Sequence, residues 1–472
     1  MDRLPLTPAD IVRATGGRLE QGDPGEAIAG LSIDSRSIGS GELFVAIRGD
    51  RFDGHEFIGA AMARGARGAV VEQSRMGAAR EAAGGRERSI LVSVANTTTG
   101  LQEIARDVRR RSGTKVVAIT GSAGKTTTKE VAAEFLGSRF RVFRNKGNLN
   151  NHIGLPLSLL ELRSIPEVAV VELGMNHPGE IRTLVGIAEP DVRVWTNVGD
   201  AHLGFFASPD AIADAKAEIL EQARSTDLLV ANADDDRVTL RAKTFAGRLM
   251  TFGIDKTADV QATRIEDRGL DGTRAVVRTP AGDMRLDTPL LGPGNLSNIL
   301  AATAVALEFG VPLDAIAARA VQLRPAHHRG ELLRLPGGVT LIDDSYNSSP
   351  SALQRALHVI KVASGSARKV AVLGEMLELG AHAERLHRES GAVVAAAKLD
   401  LLIAVGGAAA KALADAAIEN GMSAACVVYA TTSAAAADLA VQRTRPGDLV
   451  LVKGSRGIGT DAIVERLKAE YA

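Results

Sequence analysis

Short, mostly apolar runs recur along this chain of 472 residues, most of them closed by a polar or turn-forming residue. They lie at 116–119, 168–171, 192–196 and 228–231, and again at 340–342, 369–373, 401–405, 425–429 and 449–452. Near-continuous apolar runs of this length predict strands buried on both faces, as in parallel sheets covered by helices. Between them apolar positions return at helical spacing, as with Leu101, Ile104, Ala105 and Val108 in the helix predicted over 96–111. Strands alternating with helices imply parallel sheets with crossovers. Before 95 the pattern predicts strands at 42–47, 68–71 and 90–94, with a helical stretch at 57–64. The stretch 259–291 alternates apolar and polar residues and carries Gly and Pro, which predicts an antiparallel flap, and a helix is predicted over 296–309. Arg324-Pro325 and Gly330 mark a linker. Three of the last strands end at glycine (Gly374, Gly406 and Gly454), as in a doubly wound sheet whose ligands sit at the carboxyl ends of its strands. The fold class expected is α/β in three domains: a small α/β domain over 1–94, a central nucleotide-binding domain with a mostly parallel sheet over 95–325, and a Rossmann-like doubly wound domain over 326–472.

Composition narrows what these domains do. The formal net charge is zero, whereas chains that live on nucleic acid or acidic membranes carry a basic excess. The dense basic run Arg109-Arg110-Arg111 reads as a solvated helix end. The single cysteine, Cys426, rules out an internal disulfide, and its apolar flanks predict a buried, inert thiol. No apolar run reaches the roughly 18 residues of a membrane span, and the start MDRLPLTPAD does not look like a signal peptide. A soluble, cytoplasmic protein is expected, without nucleic acid or membrane as partner.

Six segments carry candidate chemistry. VVAITGSAGKTTTKE (116–130) is a buried strand, a glycine turn and a helix start. Gly121 and Gly124 allow backbone N–H groups to converge on phosphate oxygens, Lys125 can reach the β- and γ-phosphates, and the Thr126 hydroxyl suits Mg²⁺. Ile119 stands where the common form of this loop has its first glycine, so the loop is a tighter variant. Glu172 closes the strand at 168–171: it is either a ligand for a hard cation or a strand-end carboxylate facing water. His202, after the next strand, reads as metal ligand, base or loop histidine. Lys216 sits about two turns into a helix that Ser208 caps and Pro209 opens; on its own it reads as a surface lysine. Asn295 and Asn298, one turn apart, either cap a helix or bind a base or ribose. Asp343 and Asp344 precede Tyr346 and Asn347; they either hold ribose hydroxyls or form a polar turn.

Read in order, these segments resemble the Mur ligase family of peptidoglycan synthesis over nearly the whole length. TGSAGKTTTKE, VVELGMNHPGEI, NVGDAHLGFF, AKAEI, GNLSN and DDSYN keep the family's running order, and DSRSIGSGELFVAIRGDRFDGHEF (34–57) resembles its UDP-sugar-binding domain. NKGNLNNHIGLPLSLL, DDSYNSSP and GEMLELG point to the branch that adds D-Ala-D-Ala to UDP-N-acetylmuramoyl-tripeptide. Neither an Asp-Tyr-Ala-His nor an Asp-Asn-Pro-Arg motif, which ligases adding the third residue carry, is present. Ser348 and Ser349 depart from the family's Asn-Ala-Asn pattern.

The resemblance implies roles. Gly121, Ser122, Ala123, Gly124, Lys125, Thr126 and Thr127 would hold the phosphates of ATP. Thr126 and Glu172 would bind one Mg²⁺, and Glu172, His202 and a carbamylated Lys216 a second. Asn295 and Asn298 would line the adenosine, Arg329 would touch a phosphate, and Asp344 would hold ribose. Asn148, Asn151, Tyr346, Asn347, Lys453, Ser455 and Arg456 would surround the peptide substrates, with Ser35 and Arg36 at the uridine end. A monomer is expected. The rival classes are a phosphate-loop switch or transporter ATPase, which would need no amine acceptor, and an inactive UDP-sugar binder, which would lack the metal set.

Overall fold

The computed structural model describes residues 3–49, 51–84 and 88–472; the predicted region 1–94 and the motif 34–57 each include residues outside that set. The chain forms two compact units, one comprising Met1–Ala118, Phe140–Met175 and Gly179–Val192, the other Ile119–Arg139, Asn176–Pro178 and Arg193–Ala472.

The first unit holds a five-stranded sheet in the order Arg18–Gln21, Ile90–Val94, Gly68–Glu72, Leu43–Val45, Leu31–Ser32. Its pairs are parallel except the first, which is antiparallel. The central strands are largely apolar and buried, and they match the predicted strands; the two edge strands are short or half-exposed and left no apolar run to read. Phe44, Ile58, Ala61, Val71 and Leu91 form the core of this sheet's helical side. Thr97–Ser112 is the predicted helix, with Asn96 capping it and Gly113 ending it at φ 65°. Its basic run departs from the prediction. Arg109 is buried, donating from Nε to the Ala188 carbonyl at 2.8 Å and pairing with Asp191 at 3.0 Å. A guanidinium with five fixed donors can cap the end of a neighbouring helix from inside, which charge counting does not reveal. In the same unit Val142–Arg144 runs parallel to Val168–Glu172.

In the second unit Leu228–Asn232, Arg248–Gly253 and Val260–Asp267 run parallel, and the sheet then turns antiparallel through Thr273–Thr279 and Gly282–Thr288, as predicted for the flap. The helix predicted from 296 begins a turn earlier, at Gly292–Glu308. Gly-Pro-Gly reads as a turn, yet proline is favoured in the first helical turn, where its missing N–H costs nothing. The last sheet has six strands in the order Glu331–Arg334, Thr340–Asp344, Asp448–Lys453, Arg368–Gly374, Leu401–Val405, Val427–Ala430. All its pairs are parallel but the first. Leu341, Val370, Val372, Ile403, Val450 and Val452 fill its core. The strand predicted at 425–429 begins at Val427, and Cys426 closes a 3₁₀ turn in front of it, half-buried rather than inside the sheet. An edge strand has one partner, and its first residues lack cover. Among the described residues no helix is long and apolar enough to cross a membrane.

Candidate active site

The phosphate loop is held by its own backbone and one neighbouring strand end. It joins Lys115–Thr120 to the helix Lys125–Leu136. Gly121 has φ 149° and Gly124 φ 84°. A Cβ on Gly121 would lie 1.9 Å from Thr196 Oγ1, and one on Gly124 2.2 Å from Asn298 Oδ1. Neither position accepts a side chain, for conformational and steric reasons together. Ser122 N–H donates to the Asn197 carbonyl at 3.0 Å, and Ala123 N–H to Asn197 Oδ1 at 2.9 Å. The Ala123 carbonyl in turn accepts from Thr196 Oγ1 at 2.7 Å and Asn197 Nδ2 at 3.0 Å. Lys125 Nζ curls back onto the Gly121 carbonyl at 2.8 Å. The helix start has no side-chain cap, the arrangement that suits a helix N-terminus to an anion. Thr196 and Asn197 were missed as loop supports; their place at a strand's carboxyl end was the available signal.

The loop opens onto a cavity of about 440 Å³, within the range of small-ligand sites. Ser122, Ala123, Gly124, Thr127, Asn197, Asn295 and Asn298 line one side, and Arg329, Asp344, Asn347, Arg355 and Lys453 line the other. Asn295 and Asn298 do not cap. Asn295 Nδ2 donates to the Leu291 carbonyl at 2.9 Å, and buried Asn298 Oδ1 accepts from Thr128 Oγ1 at 3.3 Å while bracing Gly124.

The two adjacent acids part company on opposite faces of their strand. Asp343 is buried, with its carboxylate 2.7 Å from His328 Nδ1 and accepting from Ser345 Oγ at 2.6 Å. Asp344 faces the cavity and accepts from Lys453 Nζ at 2.6 Å; that ammonium also donates to the Asn347 carbonyl at 2.9 Å. Burial holds Lys453 below the usual lysine range, against the pull of Asp344. The Arg329 guanidinium lies 4.0 Å from the Tyr346 ring centroid. Asn347 Oδ1 accepts from the Ser348 amide at 2.8 Å. Ser455 is buried and accepts from Leu377 N–H at 2.9 Å, whereas Arg456 is exposed and pairs with Asp461 at 3.2 Å.

His202 and Lys216 also lie in this unit. His202 has φ 66°, and its Nδ1 lies 2.6 Å from Glu378 Oε2. That contact holds the Glu378 carboxyl below its usual range. Beside it, Gly204 N–H donates to the Glu378 carbonyl at 2.7 Å, and Gly204 and Gly380 meet with no room for a side chain on either. Ser208 caps the helix Pro209–Ala217 as predicted. Lys216, however, is 1% exposed, so the surface reading is wrong. It sits on the helix face that carries Ile212 and Ala213 inward, which the flanking alanines disguised.

Glu172, Asn148, Asn151, Ser35 and Arg36 belong to the first unit. Glu172 is buried rather than water-facing, with Asn150 Nδ2 donating to Oε1 at 2.9 Å and its own N–H donating to Asn145 Oδ1 at 3.1 Å. Asn150 was passed over in favour of its neighbours in a run of similar residues. Asn148 is exposed, and Asn151 Oδ1 accepts from the amides of Ile153 and Gly154. Ser35 is half-buried, and Arg36 is exposed and grips Asp34, whose carboxyl falls to about 2. Among the described residues no three His, Cys, Asp or Glu side chains cluster as a metal site.

A glycine loop at a helix start, beside a cavity closed by a doubly wound sheet with its own cations, defines a phosphate-loop nucleotide-binding protein. Family models agree and narrow the class: the Mur ligase family catalytic domain matches 27–109, the Mur ligase middle domain 119–306, and the Mur ligase glutamate ligase domain 328–456. UDP-N-acetylmuramoyl-tripeptide–D-alanyl-D-alanine ligase of Bacillus subtilis is 32% identical over 440 residues, 93% of each chain. The crystal structure of MurF from Acinetobacter baumannii superposes with a TM-score of 0.88 at 32% identity, covering 99% of this chain and 100% of that one. MurF ligase from Thermotoga maritima in complex with ADP gives 0.81 at 28% identity, covering 93% and 97%. The chain belongs to the Mur ligase family.

Proposed function

We propose that the chain joins D-Ala-D-Ala to UDP-N-acetylmuramoyl-tripeptide at the expense of ATP, in cytoplasmic peptidoglycan precursor synthesis. The observation that carries this reading is the phosphate loop facing a cation-lined cavity, in a chain that matches a UDP-N-acetylmuramoyl-tripeptide–D-alanyl-D-alanine ligase over 93% of its length. A carboxylate is a poor acyl donor because its leaving group would be oxide. Transfer of the γ-phosphoryl group to the tripeptide carboxylate gives an acyl phosphate and ADP. The dipeptide amine attacks the acyl carbon, the tetrahedral adduct expels phosphate, and the amine loses a proton as the amide forms. Lys125 and the N-terminus of the helix it opens offset charge on the transferring group. Arg329 and Lys453 add positive charge from the opposite wall. Excluding water protects the acyl phosphate.

Residues 1–94 take the UDP-sugar end through Ser35 and Arg36, 95–325 hold ATP, and 326–472 receive the dipeptide with Tyr346, Asn347, Ser455 and Arg456, joined by Asn148 and Asn151. The chain acts as a monomer. Thr126, Glu172, His202 and Lys216 suit two Mg²⁺ ions. The buried carboxylate of Glu172 and a hydroxyl fit a hard cation, and Lys216, buried as it is, fits if its nitrogen bonds to CO₂ and the ammonium gives up two protons, leaving an anionic carbamate. Bound there, Mg²⁺ would supply positive charge to the phosphoryl oxygens.

Incubation with UDP-N-acetylmuramoyl-tripeptide, D-Ala-D-Ala and ATP releases Pi above either single-substrate control; absence of that excess sinks the reading. Replacing the dipeptide by single amino acids tests the acceptor. Lys216→Ala loses most activity and regains part with short carboxylates, and a ¹³CO₂-derived carbamate signal is present only with Lys216. An active variant without additive removes the carbamate.

A further inference from the structure

Among the charged groups on the C-terminal wall, Lys453 is bonded to Asp344 and Arg329 lies over Tyr346. Arg355, on the helix Pro350–Val362, has neither kind of partner. Among the described residues it makes no ion pair and no hydrogen bond, and the charge that acts on it belongs to Asp344, already engaged by Lys453 at 2.6 Å. Its side chain is half-buried, and burial holds the guanidinium below its usual range. A cation withdrawn from water without a partner costs free energy unless a ligand completes it.

Its position says which part of a ligand it meets. The phosphate loop touches the helix Gly292–Glu308 at Asn298, against Gly124. Arg355 touches the same helix at Gly294, where a Cβ would lie 2.9 Å from its Cδ. Four residues separate these contacts, about 6 Å along a helix axis. The cavity runs from the loop to Gly294 and Arg355, so a nucleotide with its phosphates at the loop has room there for its sugar and base, and a planar guanidinium suits the face and edges of a purine.

We propose that Arg355 is a nucleotide-binding residue, its guanidinium packing against the base and ribose of ATP. This rests on the reading of the cavity as an ATP site. The test is calorimetric titration of ADP and of pyrophosphate into the full chain, as wild type, Arg355→Ala and Arg355→Lys, with thermal melting of each in the absence of ligand. Arg355→Ala is expected to weaken ADP about tenfold and leave pyrophosphate unchanged. Arg355→Lys, which keeps the charge but loses the plane, is also weakened for ADP. Ligand-free melting holds or rises. Unchanged ADP binding, equal weakening of both ligands, or a fall in ligand-free melting temperature overturns the proposal. A wild type that binds no ADP overturns the ATP reading itself, which separates the two failures.

Discussion

The two walls of the nucleotide cavity are built on different principles. The phosphate-loop wall is backbone: two glycines, amides and carbonyls, each locked to Thr196, Asn197 or Asn298. The opposite wall is side chain: Arg329, Asp344, Arg355 and Lys453, drawn from three separated stretches of the last domain. A backbone wall gets its geometry from steric exclusion and is rigid before ligand arrives. A side-chain wall gets its charge from groups that are only partly satisfied, and a ligand can complete it.

The largest break in that contrast is Gly124→Ala. The methyl group meets Asn298 Oδ1, which Thr128 holds, at a residue with φ 84°. A displacement of about 1 Å in a positioned phosphate costs on the order of 10²-fold in rate. Pi release is expected to fall at least that far, with ligand-free folding largely kept. A mild effect would mean the loop is not rigid. Next, the Lys453–Asp344 pair is expected to show coupling of roughly 1–3 kcal/mol in a double-mutant cycle of Lys453→Met and Asp344→Asn, read by denaturant unfolding. Coupling near zero would make the second wall as independent of its charges as the first.

The smallest effect concerns pH. His387 is buried; its Nε2 accepts from Met376 N–H at 2.9 Å and its Nδ1 donates to the Ala383 carbonyl at 2.7 Å. Burial lowers its pKa despite the Ala383 bond and Glu375. A lowered pKa means the neutral form stabilises the fold above the ordinary histidine value of about 6.5, and that contribution is lost as pH falls below it toward the folded value. Amide protection at 376–380, corrected for the pH dependence of intrinsic exchange, is expected to fall between pH 7.5 and 5.5 while that at 119–126 stays unchanged, and His387→Gln should flatten the difference. Equal loss of protection on both sides would remove the contrast.

What could be read beforehand follows the same division. The glycine loop is contiguous, and strand, turn and helix signals agree across it, so Gly121 to Thr127 was visible in order. The parallel sheets were visible because both faces of their strands are buried. The edge strands Arg18–Gln21 and Glu331–Arg334 were not, because half-exposed strands carry no apolar run. Side chains that act from one face of an element were hardest. Lys216 and Arg109 are charged yet buried, Asp343 and Asp344 differ only in the face they take, and Arg355 sits in an otherwise ordinary amphipathic helix. Which of several neighbouring asparagines bonds Glu172 is set by loop geometry, and Asn150 gave no signal that Asn148 and Asn151 lacked.

The meeting of Gly204 with Gly380 carries a consequence for how this protein can vary. A Cβ on Gly204 would lie 2.7 Å from the Gly380 nitrogen, and one on Gly380 2.8 Å from the Gly204 Cα. Most packing faults in a protein can be repaired by a second change that makes the partner smaller. Here both partners are already the smallest residue, so no compensating substitution exists at either position. A lineage can keep this backbone-to-backbone contact or give it up whole, but it cannot drift through intermediates.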